Sequence, residues 1–410
     1  MNRHAIDGDR TITQALPHFS SAAGRTIGTE EERLVLEVLR SGQLSRNGGR
    51  MVKALEERFA AMLGLPHAVA CSSGTASVHL CLAALDLEPE TEVIVPPVTD
   101  MGSVLPILWQ NCVPVFADLD PGTLTLDPQA VEQAITPRTR AIIAVHLAGQ
   151  PCDMARLRQI ADRHNLALIE DCSQAYWAEV DGQRVGTLGD LACFSLQQSK
   201  HITCGEGGLM VARNRRYAER ALLFSDKAWP RSGNSLGSCR FLFLSQNYRM
   251  SDLQGAVALA QLDKIAASVE RRRASAQLLT DSIAGVPGVA APSVPANTRH
   301  SYWLYMLRVR DAGSGRRTER FGETLAAEGV PAWARYIVDP LYLSPLFTEQ
   351  RTYGVSGYPL RTSAWQSFER GLCPVAERVL QEVVAIHWNE NYTPEQVGRI
   401  AAAIRKAAAQ

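Results

Sequence analysis

The sequence predicts an α/β protein. It would have a large domain with a mostly parallel sheet flanked by helices, and a smaller C-terminal α+β domain. Three observations carry this. Short apolar runs recur at 68–71, 92–95, 113–117, 141–145, 167–169, 192–194 and 209–212. Amphipathic stretches, such as 76–84 and 153–164, separate several of them. Strands that alternate with helices imply βαβ units, and hence a sheet covered on both faces. Finally, a long helical pattern, roughly 251 to 283, gives way to a turn-rich stretch (GVPGVAAPSVPANTR, 285–299) that marks a boundary.

In chain order, residues 1–26 lack periodicity and read as a loose N-terminal arm. A helix starts near Gly28, with Thr29 as its N-cap and Glu32 at the capping-box position. The large domain then spans 27–284 and ends in the long helix, which has no internal Gly or Pro after Gly255. The small domain covers 285–410 and closes with a helix over 394–409. A basic run, Arg271-Arg272-Arg273, reads as a solvated helix face.

Forty-two basic residues balance forty-two acidic ones. That balance removes the electrostatic case for a nucleic-acid or anionic-membrane partner. No stretch of about 18 apolar residues occurs, and no secretory signal is evident, so a cytoplasmic enzyme is expected. The nine cysteines include no CxxC pair and most lie in apolar runs, which fits buried free thiols and argues against a zinc site.

In an open parallel sheet, ligands bind beyond the carboxyl ends of the strands, so the residues after each run matter most. After 68–71 comes Ser72-Ser73-Gly74-Thr75, entering a helix. Small residues there let backbone N–H groups approach an anion such as phosphate, although an N-capped turn explains them equally. After 167–169 comes Glu170-Asp171-Cys172-Ser173-Gln174-Ala175. A carboxylate at a buried strand end needs a positive partner, and a protonated pyridine nitrogen fits; an acidic helix cap is the plainer alternative. After 192–194 comes Ser195-Leu196-Gln197-Gln198-Ser199-Lys200, followed by the Gly205-Glu206-Gly207-Gly208 turn. A lysine bounded by small and polar residues before glycines suits a Schiff-base amine in a pocket that admits a planar ring.

Taken in order, SSGT at 72–75, EDCSQA at 170–175, FS-x4-K at 194–200, GEGG at 205–208 and NYRMSDLQGA at 247–256 resemble the DegT/DnrJ/EryC1/StrS family. These are sugar and cyclitol aminotransferases of the pyridoxal-phosphate (PLP) dependent fold type I. The resemblance runs from about Ile27 to the C-terminal helix. It implies that Lys200 holds PLP as a Schiff base and, once freed, moves the proton between donor Cα and cofactor. It also implies that Asp171 pairs with the pyridinium nitrogen and that Gln174 lies against the ring. Gly74, Thr75 and Ser195 would hold the phosphate, and Asn247 would reach it from a second subunit, making a homodimer with shared active sites. Arg249 is the candidate for the donor carboxylate, with Arg335 and Tyr336 as further candidates near the sugar pocket. The expected cofactor is PLP with its amine form PMP; no metal is expected.

The expected activity is transfer of an amino group from glutamate or glutamine to a keto-sugar, often nucleotide-linked, or a keto-cyclitol. Such chemistry belongs to amino-sugar or antibiotic biosynthesis. The alternative is a dehydratase or cyclodehydratase of the same fold, of deoxysugar or aminobenzoate type. The deoxysugar dehydratases carry histidine in place of the lysine, so Lys200 favours transamination. One departure stands out: where the family has an aromatic stacking on the ring, this chain has Asp100, in Pro96-Pro97-Val98-Thr99-Asp100-Met101. Met101 and Trp177 are the candidates to cover the ring instead.

Overall fold

The computed structural model describes residues 10–231, 240–310, 315–361 and 367–410. The chain opens with helices α1 (Thr29–Ser41) and α2 (Met51–Leu63) and strand β1 (His67–Cys71). Helix α3 (Gly74–Leu85), β2 (Glu92–Val95), α4 (Leu105–Trp109), β3 (Val113–Phe116) and α5 (Pro128–Ala134) follow. Then come β4 (Thr139–Val145), α6 (Met154–His164), β5 (Ala167–Asp171) and two short strands, β6 (Glu179–Val180) and β7 (Gln183–Arg184). β8 (Leu191–Ser195), β9 (Gly208–Ala212) and α7 (Arg215–Ser225) complete the series.

Seven of these strands form one sheet in the order β1-β9-β8-β5-β4-β2-β3. β9 runs antiparallel to both neighbours, and the remaining pairs are parallel. Every residue of β2, β3, β8 and β9 is buried. That explains why the strands read as continuous apolar runs: side chains alternate between two covered faces. Val93, Val95 and Ile143 pack into one core layer, while Ile94, Ile142 and Ala144 pack into the opposite one.

The pattern expected as one helix over 251–283 is two helices, α8 (Asp252–Leu262) and α9 (Ile265–Ser282). The break falls at Asp263–Lys264, where the Lys264 ammonium turns back onto the Thr26 carbonyl and the Glu31 carboxylate. Beyond it lie β10 (Val289–Ala290), β11 (Thr298–Arg299), β12 (Leu304–Val309), α10 (Arg316–Ala327) and β13 (Ala332–Ala334). α11 (Pro345–Thr348), α12 (Pro374–Leu380), β14 (Val383–His387) and α13 (Pro394–Ala408) end the chain. An antiparallel sheet, β10-β12-β14-β13, carries this part, and β11 joins β6 and β7 in a small third sheet.

Three further expectations need correction. The first helix is capped one residue earlier than expected: the Gly28 N–H donates to Glu31 Oε2 at 2.9 Å, not to Glu32. Glu31 wins because its carboxylate also receives Gln261 and Lys264 from the α8 end. The arm is not loose from residue 10 onward. Ile12 and Leu16 are buried against Phe321, Leu325 and Val330, and the Ile12 N–H donates to the Glu328 carbonyl. Residues 1–9 lie outside the described residues.

Nor is the Arg271–Arg273 run a solvated face. Arg272 is 1% exposed, pairs with Glu390 at 2.6 Å and donates to the Trp388 carbonyl, tying α9 to the chain after β14. Among the described residues the cysteines are unpaired, seven buried and Cys204 half-buried; Cys239 lies outside them.

Candidate active site

The carboxyl ends of β1, β2, β5 and β8 open onto a cavity of about 380 Å³. Its lining includes Gly74 and Thr75 after β1, Asp100 and Ser103 after β2, Asp171 and Gln174 at β5, and Ser195 and Lys200 at β8. Six of the seven residues expected to hold the cofactor therefore meet in one place, drawn from segments more than 120 residues apart.

Each is held by its surroundings. Ser73 caps α3, its hydroxyl accepting from the Ala76 N–H at 3.0 Å. The first N–H groups of the 12-residue helix have no intrahelical acceptor and make its start a natural anion site. A Cβ on Gly74 would lie 2.6 Å from the Ser195 Cβ, so only glycine lets β8 approach this closely. Asp171 is 4% exposed; its Oδ2 accepts from the Ser103 hydroxyl at 2.7 Å and its Oδ1 from the Ser173 N–H at 3.0 Å. Gln174 is fixed at both ends: Oε1 accepts from the Ala148 N–H at 2.7 Å and Nε2 donates to the Tyr336 hydroxyl at 3.0 Å.

Lys200 is buried, with Nζ 4.0 Å from the centre of the Trp303 ring. Burial lowers its pKa to about 8, against the opposing pull of Asp171 and Asp100. An amine so tuned is partly neutral near physiological pH, which both nucleophilic attack and proton transfer require.

Behind β5, the fold also gathers His146, Glu170 and Cys172, whose ligand atoms lie within 4.8 Å of one another. The Glu170 carboxylate already accepts from the backbone N–H groups of Gly186, Leu188 and Gly189, with His146 Nε2 at 3.1 Å. The His146 Nδ1 accepts from the Cys152 N–H. These bonds brace the strand that carries Asp171.

Four of the candidate binding residues do not line the cavity. Arg249 is engaged, together with Arg231, by Asp226. Arg335 pairs with Glu319 at 2.7 Å. Asn247 is exposed and is bridged to Asp226 through the backbone. Tyr336 reaches the site only through Gln174.

Asp100 caps a short 3-10 turn, accepting from the Gly102 N–H, and stands in the lining. Trp177 is buried elsewhere, beneath the Arg184 guanidinium. The aromatic that lines the cavity is Trp303, just ahead of β12. Sequence reasoning missed it, along with Ser103, because neither sits at the end of an apolar run of the sheet that builds the rest of the site.

Fold and site together define an aminotransferase of the PLP-dependent fold type I class. The chain belongs to the DegT/DnrJ/EryC1/StrS aminotransferase family, which it matches over residues 25–405. It is 37% identical to the L-glutamine:2-deoxy-scyllo-inosose aminotransferase of Streptomyces kanamyceticus, covering 85% of this chain and 84% of that protein. It is 34% identical to GDP-perosamine synthase of Caulobacter vibrioides, over 85% of this chain and 94% of the other. The fold is similar to that of 3-amino-5-hydroxybenzoic acid synthase, with a TM-score of 0.83 at 28% identity, covering 94% of this chain and 97% of that one.

Proposed function

We propose that this aminotransferase works with PLP held by Gly74, Thr75, Asp171, Gln174, Ser195 and Lys200. In this reading it moves an amino group from glutamate or glutamine to the ketone of a cyclitol or sugar. The observation that carries the reading is the meeting of the Lys200 amine and the Asp171 carboxylate in a cavity that also contains a helix N-terminus. These residues fit the group. A dianionic phosphate suits the start of α3, where Gly74 leaves no room for a Cβ. A buried carboxylate suits a ring nitrogen, and a lysine kept from full protonation suits an aldehyde.

PLP, when bound, supplies a carbonyl carbon that condenses with amines and a ring that accepts the electron pair released at the donor Cα. Lys200 Nζ is the protein's nucleophile, and it is also the group that takes the proton from the donor Cα. Asp171, kept in orientation by Ser103 and Ser173, holds a positive charge on the ring nitrogen. Gln174, locked between Ala148 and Tyr336, lines the cavity and would help to hold the ring. Asp100 lines the same cavity.

The donor and ketone classes draw support from the named relatives, which act on a cyclitol ketone and make a nucleotide-linked amino sugar. A homodimer completes the site, with Asn247 of each chain serving the other's phosphate. The exposed apolar side chains just ahead of it, Phe241, Leu242 and Leu244, support burial of this segment by a second copy. The likeness to 3-amino-5-hydroxybenzoic acid synthase favours a second reading, loss of water from the ring rather than gain of nitrogen.

One screen tests both readings: purified enzyme with glutamate or glutamine against keto-cyclitols and nucleotide-linked keto-sugars, products read by mass. Replacement of the ketone oxygen by an amine is the expected result. Loss of water without nitrogen gain supports the second reading, and no amine product with any pair contradicts the first.

A further inference from the structure

The loop that carries Lys200 hangs from the N-terminal arm. Its three consecutive carbonyls, of Gln198, Ser199 and Lys200, are each taken by a side chain from elsewhere. Arg25 Nη2 donates to Gln198 O, Trp303 Nε1 donates to Ser199 O at 2.9 Å, and Arg25 Nη1 donates to Lys200 O at 2.7 Å. Arg25 Nε donates to the Phe19 carbonyl at 3.2 Å, and the Gln198 amide donates to that same carbonyl at 2.9 Å. The arm is anchored in turn by Asn389 on Gly24 O and Asn391 on Ala23 O.

Arg25 is 9% exposed, and among the described residues it makes no ion pair. Glu390, whose charge it feels, is already bound by Arg272 at 2.6 Å. Burial lowers the Arg25 pKa to about 10, which leaves it charged at neutral pH. A buried guanidinium satisfied by main-chain carbonyls alone is costly to keep. Its planar fork, however, holds two carbonyls of one loop at once in a fixed geometry.

We infer that Arg25 is a positioning residue for Lys200, setting the Lys200 main chain so that Nζ stays over Trp303 and beside Asp171. The inference rests on the reading of Lys200 as the reactive amine. Its test is hydrogen–deuterium exchange of the full-length enzyme, read peptide by peptide, with steady-state kcat and donor KM as a second measurement.

Arg25→Ala should raise exchange in the peptide spanning 196–203 by about tenfold while the central strands β4 and β5 exchange as in the wild type, the local opening expected when a loop loses its ties. kcat should fall about tenfold with donor KM little changed, a loss of about 1.4 kcal/mol in the transition state. Arg25→Lys keeps the charge but is shorter and lacks the rigid fork, and should give intermediate exchange and kcat. Should Arg25→Ala not fold, Arg25→Lys decides alone. Wild-type exchange in 196–203 with wild-type kcat, in whichever variant folds, overturns the inference. If Lys200→Ala keeps turnover, the reading of Lys200 itself fails, whatever Arg25 does.

Discussion

At the scale of single residues, the site depends on an amine and a carboxylate, Lys200 and Asp171, that line one cavity. Asp171→Ala removes the charge partner of the ring nitrogen while Lys200, Gly74 and Ser195 stay in place. Cofactor uptake should therefore persist while removal of the donor Cα proton slows. A hydrogen-bonded charge pair in such a site is commonly worth about 2–4 kcal/mol, roughly 30- to 1,000-fold in rate. Single turnover at saturating donor measures it, and a wild-type rate would reduce Asp171 to a helix cap. Lys200 sets the pH dependence. Below about 8 its amine is increasingly protonated and unable to accept, so the rate should climb with rising pH and level off above that value. Asp100 raises the Lys200 pKa, so Asp100→Asn should move the rising limb to lower pH. A limb that stays put in Asp100→Asn would remove Asp100 from the electrostatics of the amine.

At the scale of elements, the strands of the main sheet were legible because both their faces are buried. β2 falls on the expected residues 92–95, and β8 and β9 differ from expectation only at their ends. Much of the candidate cavity was legible for a related reason: Gly74, Thr75, Asp171 and Ser195 stand at or just past the ends of those runs. What lacked a local signal was missed. The break between α8 and α9 contains no glycine or proline; it follows from Lys264 reaching Thr26 and Glu31, contacts made over 230 residues away in sequence. Arg272 looked like part of a charged run because its partner, Glu390, lies 118 residues further on. That pair makes a stability prediction. Arg272→Ala leaves Glu390 buried and uncompensated, which typically costs about 3–5 kcal/mol. Denaturant unfolding of the two proteins checks it, and a change below about 1 kcal/mol would mean that water reaches Glu390 freely.

At the scale of the whole molecule, the arm, the lysine loop, α9 and the chain after β14 are joined by a few cations: buried Arg25 and Arg272 and half-buried Lys264. The cavity is open where Glu206 and Asp100 stand at its rim, and the segment leading to Asn247 exposes Phe241, Leu242 and Leu244. A second copy seated there would close the site and bring Asn247 to it. Mixing Lys200→Ala and Asn247→Ala proteins under subunit exchange should then restore activity that neither has alone, since one site of each hybrid is intact. No recovery, in proteins shown by native mass spectrometry to have exchanged, would mean that each chain works alone.

The central claim, that Lys200 is the amine that holds the cofactor, has a direct measurement. The chain has five lysines, at 53, 200, 227, 264 and 406, so a label can be assigned without ambiguity. Enzyme loaded with PLP should be yellow, lose that colour on borohydride reduction, and carry a pyridoxyl group on the peptide containing Lys200. Label on Lys53, Lys227, Lys264 or Lys406 in its place, or no label in protein saturated with PLP, would contradict the account.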